Sequence, residues 1–432
     1  MSHIPNDTLS WGGDAAVLSD DEIRSALAEI IRRFGGGKKI LAVPPDFSRF
    51  HSYAGQITSM LYQQVGDALT DVLPALGTHR PVTEAERNIM FPGVPAGLFR
   101  EHDWRNDLVT LGEVPADFIH EQSEGALHWP WPAQVNSLVA NGGHDLIVSV
   151  GQVVPHEVIG MANHSKNLFV GTGGRMGING SHFLGAVYGM ERIMGRADTP
   201  VRRVLNYAAE HYLSHLPVLY ILTVIDRDEA RNELVVRGLF AGMGLDCFYQ
   251  AADLALKTNF TMVDEAPEHV VVHLDPHEFH STWLGNKSIY RTRMMIADGG
   301  QLTVLAPGVE SFGEDPGIDR LIRAYGYRGT EATLAAVAAG GELAGDLSAA
   351  AHLIHGSSDD RFSITYCPGH LTQEEVEGVG FGYRDLAEAS AQYDPQKLHD
   401  GWNVLPDGEK IFYVSQPALG LWAHHSRFKE IS

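Results

Sequence analysis

The sequence predicts an α/β protein of two domains, each built on a mainly parallel sheet with flanking helices. Short apolar runs such as Lys39-Ile40-Leu41-Ala42-Val43 and Asp145-Leu146-Ile147-Val148-Ser149-Val150 alternate with amphipathic helical stretches. Several of these runs end abruptly in polar, reactive residues, which is where open α/β sheets place their ligands. The length, 432 residues, suits two or three domains of ordinary size.

The elements follow in order. Ser19-Asp20-Asp21-Glu22 places acceptors and negative charge at a helix start, and Ile23, Leu27, Ile30 and Ile31 form its apolar stripe. Gly35-Gly36-Gly37 stops that helix. The strand at Lys39–Val43 then runs into Pro44-Pro45-Asp46, and a helix is expected from about Gly55 to Leu69. Val72-Leu73-Pro74-Ala75-Leu76 reads as a weaker strand because of its proline, and it leads into Gly77-Thr78-His79-Arg80. Thr83 to Glu86 has the pattern of a capping box. The buried strand at Asp145–Val150 leads to Gly151 and on to His156. Further strands are expected at Val218–Val224, Leu234–Leu239, Val270–Leu274 and Leu302–Leu305.

A second strand-to-loop unit at Glu268–Asp275 places the domain boundary near residue 265. The strand-like Lys410–Val414 is expected to return to the first domain. The first domain is thus residues 1–265 plus about 405–432, the second is 266–404, and the active site is expected in the cleft between them.

A formal charge of −22, from 32 basic and 54 acidic residues, argues against a nucleic acid or an anionic membrane as partner. With only Cys247 and Cys367, neither a disulfide framework nor a cysteine-rich metal site can be built. Met1 to Asp7 lacks the charged and apolar regions of a signal peptide, and no apolar run approaches the ~20 residues of a membrane span. A cytoplasmic protein is the expectation.

Certain segments carry chemistry. Arg49, in Asp46-Phe47-Ser48-Arg49, could be held by the neighbouring carboxylate and grip a substrate carboxylate or phosphate; a plain surface ion pair is the alternative. His79 follows glycine and could shuttle a proton, or could simply bond a helix end. Lys166, behind Pro155-His156-Glu157 and Asn163-His164-Ser165, could be a nucleophile if burial lowers its pKa, or merely exposed. Gly171-Thr172-Gly173-Gly174 and Gly177-Ile178-Asn179-Gly180 offer backbone N–H groups to an anion, without the spacing of a phosphate loop or a dinucleotide fingerprint. His182 opens a helical stretch with no histidine four residues on. Asp275-Pro276-His277-Glu278-Phe279-His280 could hold a metal or line a polar pocket, and Lys287 is a second candidate for a carboxylate.

Taken together, these segments resemble the lactate racemase family, whose enzymes use a nickel-pincer nucleotide. The family's aspartate-x-serine/threonine-arginine element appears as Asp46 to Arg49. Its glycine-x-histidine-arginine element, followed by a Thr-x-x-Glu helix start, appears as Gly77 to Arg80 and Thr83 to Glu86. Its histidine, glycine, lysine and histidine series appears as His156, Gly160, Lys166 and His182, with Lys166 ten residues after His156 and His182 sixteen after Lys166. The resemblance is strong in the first half of the chain and loose in the second.

The likeness implies that Lys166 is the covalent tether of the cofactor, a pyridinium-3-thioamide-5-thiocarboxylic acid mononucleotide, with Asp46 and Ser48 beside it. His182 would be the protein ligand to nickel, whose other ligands are two cofactor sulfurs and a ring carbon. His79 and His156 would be the acid–base pair, one for each face of the substrate, and Arg49, Lys287 and Trp283 would bind substrate. The implied reaction inverts C2 of a 2-hydroxy acid by hydride transfer to and from the cofactor through a 2-keto acid. Removing hydride while a base takes the hydroxyl proton avoids the dianion that C2 deprotonation beside a carboxylate would form. The implied partners are a small hydroxy acid and the cofactor-synthesis enzymes that load the protein.

The chain departs from the family pattern in two places. Asn163-His164-Ser165 stands where the family has paired glycines, and Trp283-Leu284 where it usually has tyrosine-glutamine. These changes bear on the substrate, lactate-like or larger: with His277, Glu278 and His280, Trp283 would suit a polyhydroxylated acid, a sugar acid such as an aldonate. Two other readings stay open: a zinc hydrolase with His79, His156 and His182 as ligands, and a non-catalytic protein that captures a small carboxylate.

Overall fold

The computed structural model describes residues 8–35, 37–228, 231, 233–418 and 420–428. Met1 to Asp7 and Gly36 of the helix stop lie outside them. The chain divides into two compact units, residues 1–184 with 194–259, and residues 185–193 with 260–432.

The strands of the first unit are β1 (Leu9–Gly12), β2 (Ile40–Val43), β3 (Leu69–Val72), β4 (Leu108–Val114), β5 (Trp131–Asn136), β6 (Leu146–Gln152), β7 (Pro155–His156), β8 (Gly160–Met161), β9 (Val218–Asp228) and β10 (Glu233–Gly242). Six of them make one sheet in the order β1-β10-β9-β6-β2-β3. The run β3-β2-β6-β9 is parallel and the edge β9-β10-β1 antiparallel. From β2 the chain goes outward to β3 and then returns to the other side of β2 as β6. That reversal opens a crevice at the carboxyl ends of β2 and β6, the usual ligand position in such sheets. Asp46 lies just past the end of β2, and β7, which carries His156, comes just after β6.

The helix Asp20–Phe34 forms for the reasons its sequence gives. Ser19 and Glu22 close a capping box, and Ile23, Ala26, Leu27 and Ile30 are buried against the sheet. The second helix is Ala54–Val65, ending four residues earlier than expected at Gly66, whose φ is +55°. Strand β3 sits earlier than the Val72–Leu76 run that the sequence suggested. Beyond Val72, Leu73 and Ala75 still donate to Ala42 and Pro44 at 2.9 and 2.7 Å, while Pro74 has no N–H to give.

The second unit contains β11 (Phe260–Val263), β12 (His269–His273), β13 (Gln301–Ala306), β14 (Ser363–Pro368), β15 (Gly382–Tyr383), β16 (Gly401–Val404), β17 (Lys410–Val414) and β18 (Leu421–His424). Its sheet runs β15-β14-β13-β12-β17-β16 and is parallel except for β16. This corrects the expected return of residues 405–432 to the first domain. Val270, Val271 and Val272 pair with Phe412, Tyr413 and Val414, so β17 fills the place beside β12. Residues 185–193 also belong to this unit. There Glu191 accepts from Arg293 at 3.0 Å and from Arg361 at 3.3 Å.

No helix among the described residues is long and apolar enough to cross a membrane.

Candidate active site

Asp46 is buried at the end of β2 with both oxygens engaged. Ser48 Oγ donates to Oδ1 at 2.5 Å, and His79 Nδ1 meets Oδ2 at 2.8 Å. Burial pushes the Asp46 carboxyl up. The hydrogen bond and charge of His79, the Ser48 hydroxyl and the Arg49 charge outweigh it and hold the group below its ordinary value. An ionised carboxylate can only accept, so His79 Nδ1 carries the proton and Nε2 presents a lone pair. His79 stands on a turn begun by Gly77 (φ +60°), whose N–H donates to Gly171 at 2.8 Å, and its side chain is 51% exposed.

Arg49 differs from expectation. With Asp46 committed to Ser48 and His79, the half-buried guanidinium makes no side-chain hydrogen bond or ion pair among the described residues. It acts by charge, lowering the pKa of both Asp46 and Lys166.

His156 is wired differently. It lies on β7 of the small β7–β8 hairpin, is 5% exposed, and its Nδ1 accepts the Val158 N–H at 3.1 Å. Its neutral ring therefore carries hydrogen on Nε2. Glu157 Oε2 is 4.0 Å from the same Nδ1.

Lys166 is the second residue of the helix Ser165–Phe169. Asn167 ties that helix to the strand ends, donating to Val43 O at 2.9 Å and Ser149 Oγ at 3.0 Å. Burial pushes the Lys166 amine down to about 8, helped by the charges of Arg49 and Arg202 and opposed by Glu157 and Asp46. No hydrogen bond holds this amine among the described residues, so about half of it is a free base near pH 8.

His182 does not open a helix; it sits in the middle of Arg175–Tyr188. Its Nδ1–H donates back to Ile178 O at 2.7 Å, which leaves the Nε2 lone pair as the free donor. Burial pushes it down to about 4, with the Lys166 charge next. The same helix takes in Gly177-Ile178-Asn179-Gly180, so from Ile178 on, whose N–H bonds Gly174 O at 3.1 Å, the amides of this stretch belong to the helix ladder rather than to an anion.

The mutual electrostatic influence of Arg49, Asp46, Glu157, Lys166, His79 and His182 marks them as one constellation. Glu157 was quoted in the sequence without a role. Its signal was a carboxylate next to a candidate histidine in an otherwise apolar stretch. Arg202 was missed altogether; it lies 36 positions past Lys166 and no local pattern announces it. His164 is a core residue: it stacks on Tyr220 at 3.7 Å and its Nε2–H donates to Gly244 O at 3.2 Å.

Trp283 and Lys287 belong to the second unit, where both are partly exposed. Trp283 stacks on His352 at 4.4 Å, and the Lys287 ammonium lies 5.5 Å from the centre of the Phe279 ring. His277, Glu278 and His280 are exposed, and among the described residues no group of three or more His, Cys, Asp or Glu side chains is placed to hold a metal ion. Neither the His277–His280 cluster nor a three-histidine zinc site gains support.

Residues 19–193 match the family described as the lactate racemase N-terminal domain. No curated protein matches the chain. Among solved structures, the chain is similar to a protein from Thermotoga maritima, with a TM-score of 0.80 and 22% identity over 96% of this chain and 100% of that one. It is also similar to the lactate racemase apoprotein from Thermoanaerobacterium thermosaccharolyticum, with a TM-score of 0.69 and 17% identity over 97% and 95% of the two chains. At these identities the likeness to solved structures establishes the fold.

Proposed function

We propose that this chain, a member of the lactate racemase family through its residues 19–193, is a racemase or epimerase that inverts C2 of a 2-hydroxy acid with a nickel-pincer nucleotide bound to Lys166. The observation that carries the reading is the Lys166 amine: unbonded among the described residues, lowered to about 8, and set beside a neutral His182 whose Nδ1 is already anchored. Those residues fit the cofactor. Lys166 would hold it covalently, His182 Nε2 would ligate its nickel, and Asp46 and Ser48 would stand beside it. When bound, the group supplies the electron-deficient ring that takes and returns a hydride.

The remaining work falls to the chain. His79, its Nδ1–H on Asp46, offers Nε2 as base to a substrate hydroxyl, and Asp46 steadies the imidazolium that results. His156 presents Nε2–H to an oxygen on the other face, as hydrogen-bond donor. Arg49, with no side-chain partner among the described residues, is suited to the substrate carboxylate. We assign Lys287 and Trp283 to substrate recognition on residue type and partial exposure. Trp283 is the feature that favours a sugar acid over lactate, since an indole face suits the C–H groups of a polyhydroxylated chain.

The test is intact mass spectrometry of protein made alongside the cofactor-synthesis enzymes. The expected result is an adduct on wild type that is absent from Lys166→Ala. No adduct on wild type, under conditions that load a known lactate racemase, overturns the reading. Chiral screening of 2-hydroxy acids on loaded protein then identifies the substrate.

A further inference from the structure

Lys166 stands on a turn that its own sequence disfavours. Asn163 has φ 70°, and His164 has φ 59° with ψ −133°. A residue with a Cβ resists such backbone, and histidine resists the second conformation strongly. Asn163 offsets part of the strain, its Oδ1 accepting the His164 N–H at 2.7 Å. The rest of the support comes from far along the chain.

Arg202 lies on the helix Pro200–Ala208 and is fully buried, 0% exposed. Its Nη2 donates to Met161 O at 2.6 Å and to Asn163 O at 3.1 Å; its Nη1 donates to Asn163 O at 3.1 Å and to Ser165 Oγ at 3.2 Å. The guanidinium also lies 4.1 Å from the centre of the Phe248 ring. Among the described residues no carboxylate pairs with it, and Nε has no hydrogen-bond partner. A buried cation without a counter-charge is costly, and methionine would fill the same space without that cost. Among the described residues the guanidinium's hydrogen bonds all go to the five residues before Lys166.

We infer that Arg202 is a positioning residue for Lys166: by bonding the Met161 and Asn163 carbonyls and the Ser165 hydroxyl, it holds the strained Asn163-His164 pair and so fixes where the lysine side chain starts. This rests on the reading of Lys166 as the tether, and it adds a distant, buried residue to that site.

The test uses the full chain made without cofactor. Lys166 is acetylated with acetic anhydride across pH 6–10, and the labelled peptide is quantified by mass spectrometry. The charged groups that act on the amine are Arg49, Glu157, Arg202 and Asp46, with His182 nearby. Wild type is expected to label with a midpoint near 8. In Arg202→Met the lost charge raises the midpoint on its own, and the relaxed turn, which lets water reach the amine, carries it further toward the ordinary 10.5. Adding His164→Gly lets the turn form unaided, and the midpoint falls back at least halfway.

A midpoint unchanged in Arg202→Met, whatever happens to thermal stability, overturns the inference. So does a rise that His164→Gly fails to reverse, since that marks loss of the Arg202 charge alone or general damage to the fold. Should Arg202→Met be insoluble, Arg202→Lys takes its place with the same outcomes, because one ammonium cannot span the three backbone and hydroxyl positions. Labelling needs no cofactor, so failure of the adduct experiment strikes the tether reading and failure of this one strikes the brace.

Discussion

The turn that carries His79 and the hairpin that carries His156 present the same imidazole in two wirings. In the turn the ring is half exposed, and its Nδ1 meets an ionised carboxylate at 2.8 Å. In the hairpin the ring is buried, its Nδ1 accepts a backbone N–H at 3.1 Å, and the nearest carboxylate oxygen stands at 4.0 Å. The first arrangement makes Nε2 an acceptor and stabilises the ring when it gains a proton. The second spends Nδ1 on accepting the Val158 N–H and so makes Nε2 a donor. Inversion at a carbon bearing a hydroxyl needs one group to take a proton and another to supply one, and the resting wiring already divides those tasks. The difference lies wholly in the second neighbour of each ring, not in the histidines themselves.

The largest effect comes from deleting either ring. His79→Ala and His156→Ala are each expected to lower the rate of C2 inversion in loaded protein by about 10²–10⁴. Each should still form the adduct on Lys166, which separates loss of proton transfer from loss of cofactor. If either variant inverts its substrate at close to the wild-type rate, the two-histidine division is wrong.

A middle-sized effect should follow from Asp46→Asn, which keeps the His79 ring but removes the charge that orients it. A drop of about 10–100-fold in activity is expected, the size usual for the partner that orients a functional histidine. The same change alters stability in acid. The folded Asp46 carboxyl titrates below its ordinary 3.8. Its contribution is therefore full above that value and is lost as pH falls through the lower folded one. Urea midpoints compared at pH 7 and pH 3 should show wild type losing part of this share on acidification, while Asp46→Asn lacks it at both. Equal acid sensitivity of the two proteins would mean that Asp46 is not held as the geometry indicates.

The contrast between the two histidines also marks how far the sequence could be read. The strand at Lys39–Val43, the capping box at Ser19 and the placement of Asp46, His79, His156 and Lys166 beyond strands follow from local patterns: apolar runs, caps and abrupt polar ends. What escaped reading depends on partners distant in sequence. Whether Asp46 serves Arg49 or His79 is decided by a turn 33 positions away, and the geometry chooses His79. Arg202 answers a strain at Asn163 and His164 that no sequence window displays. Lys410–Val414 was legible as a strand, yet its neighbour was not, because any apolar run of that length satisfies either sheet. The helix Arg175–Tyr188 was obscured by its glycines. Gly177 and Gly180 suit a loop by composition, whereas here a Cβ on Gly180 would meet the rings of Trp129 and Trp131 at 3.1 Å.

The smallest effect, and the one that sharpens the contrast most, is expected from Glu157→Gln. Glu157 stands to His156 as Asp46 stands to His79, but at 4.0 Å rather than 2.8 Å, and with the facing nitrogen already occupied by Val158. If the hairpin histidine works as a donor, removing the charge should lower activity at neutral pH by less than about tenfold, below the loss from Asp46→Asn. Its clearer trace lies on Lys166. The Glu157 charge raises that amine, so its removal should move the acetylation midpoint below 8, opposite to the shift expected for Arg202→Met. A loss of activity as large as that of Asp46→Asn would show that Glu157 carries the proton balance of His156 in the working enzyme. The two wirings would then be one wiring seen in two states, with the Val158 N–H exchanged for the carboxylate each time His156 is charged.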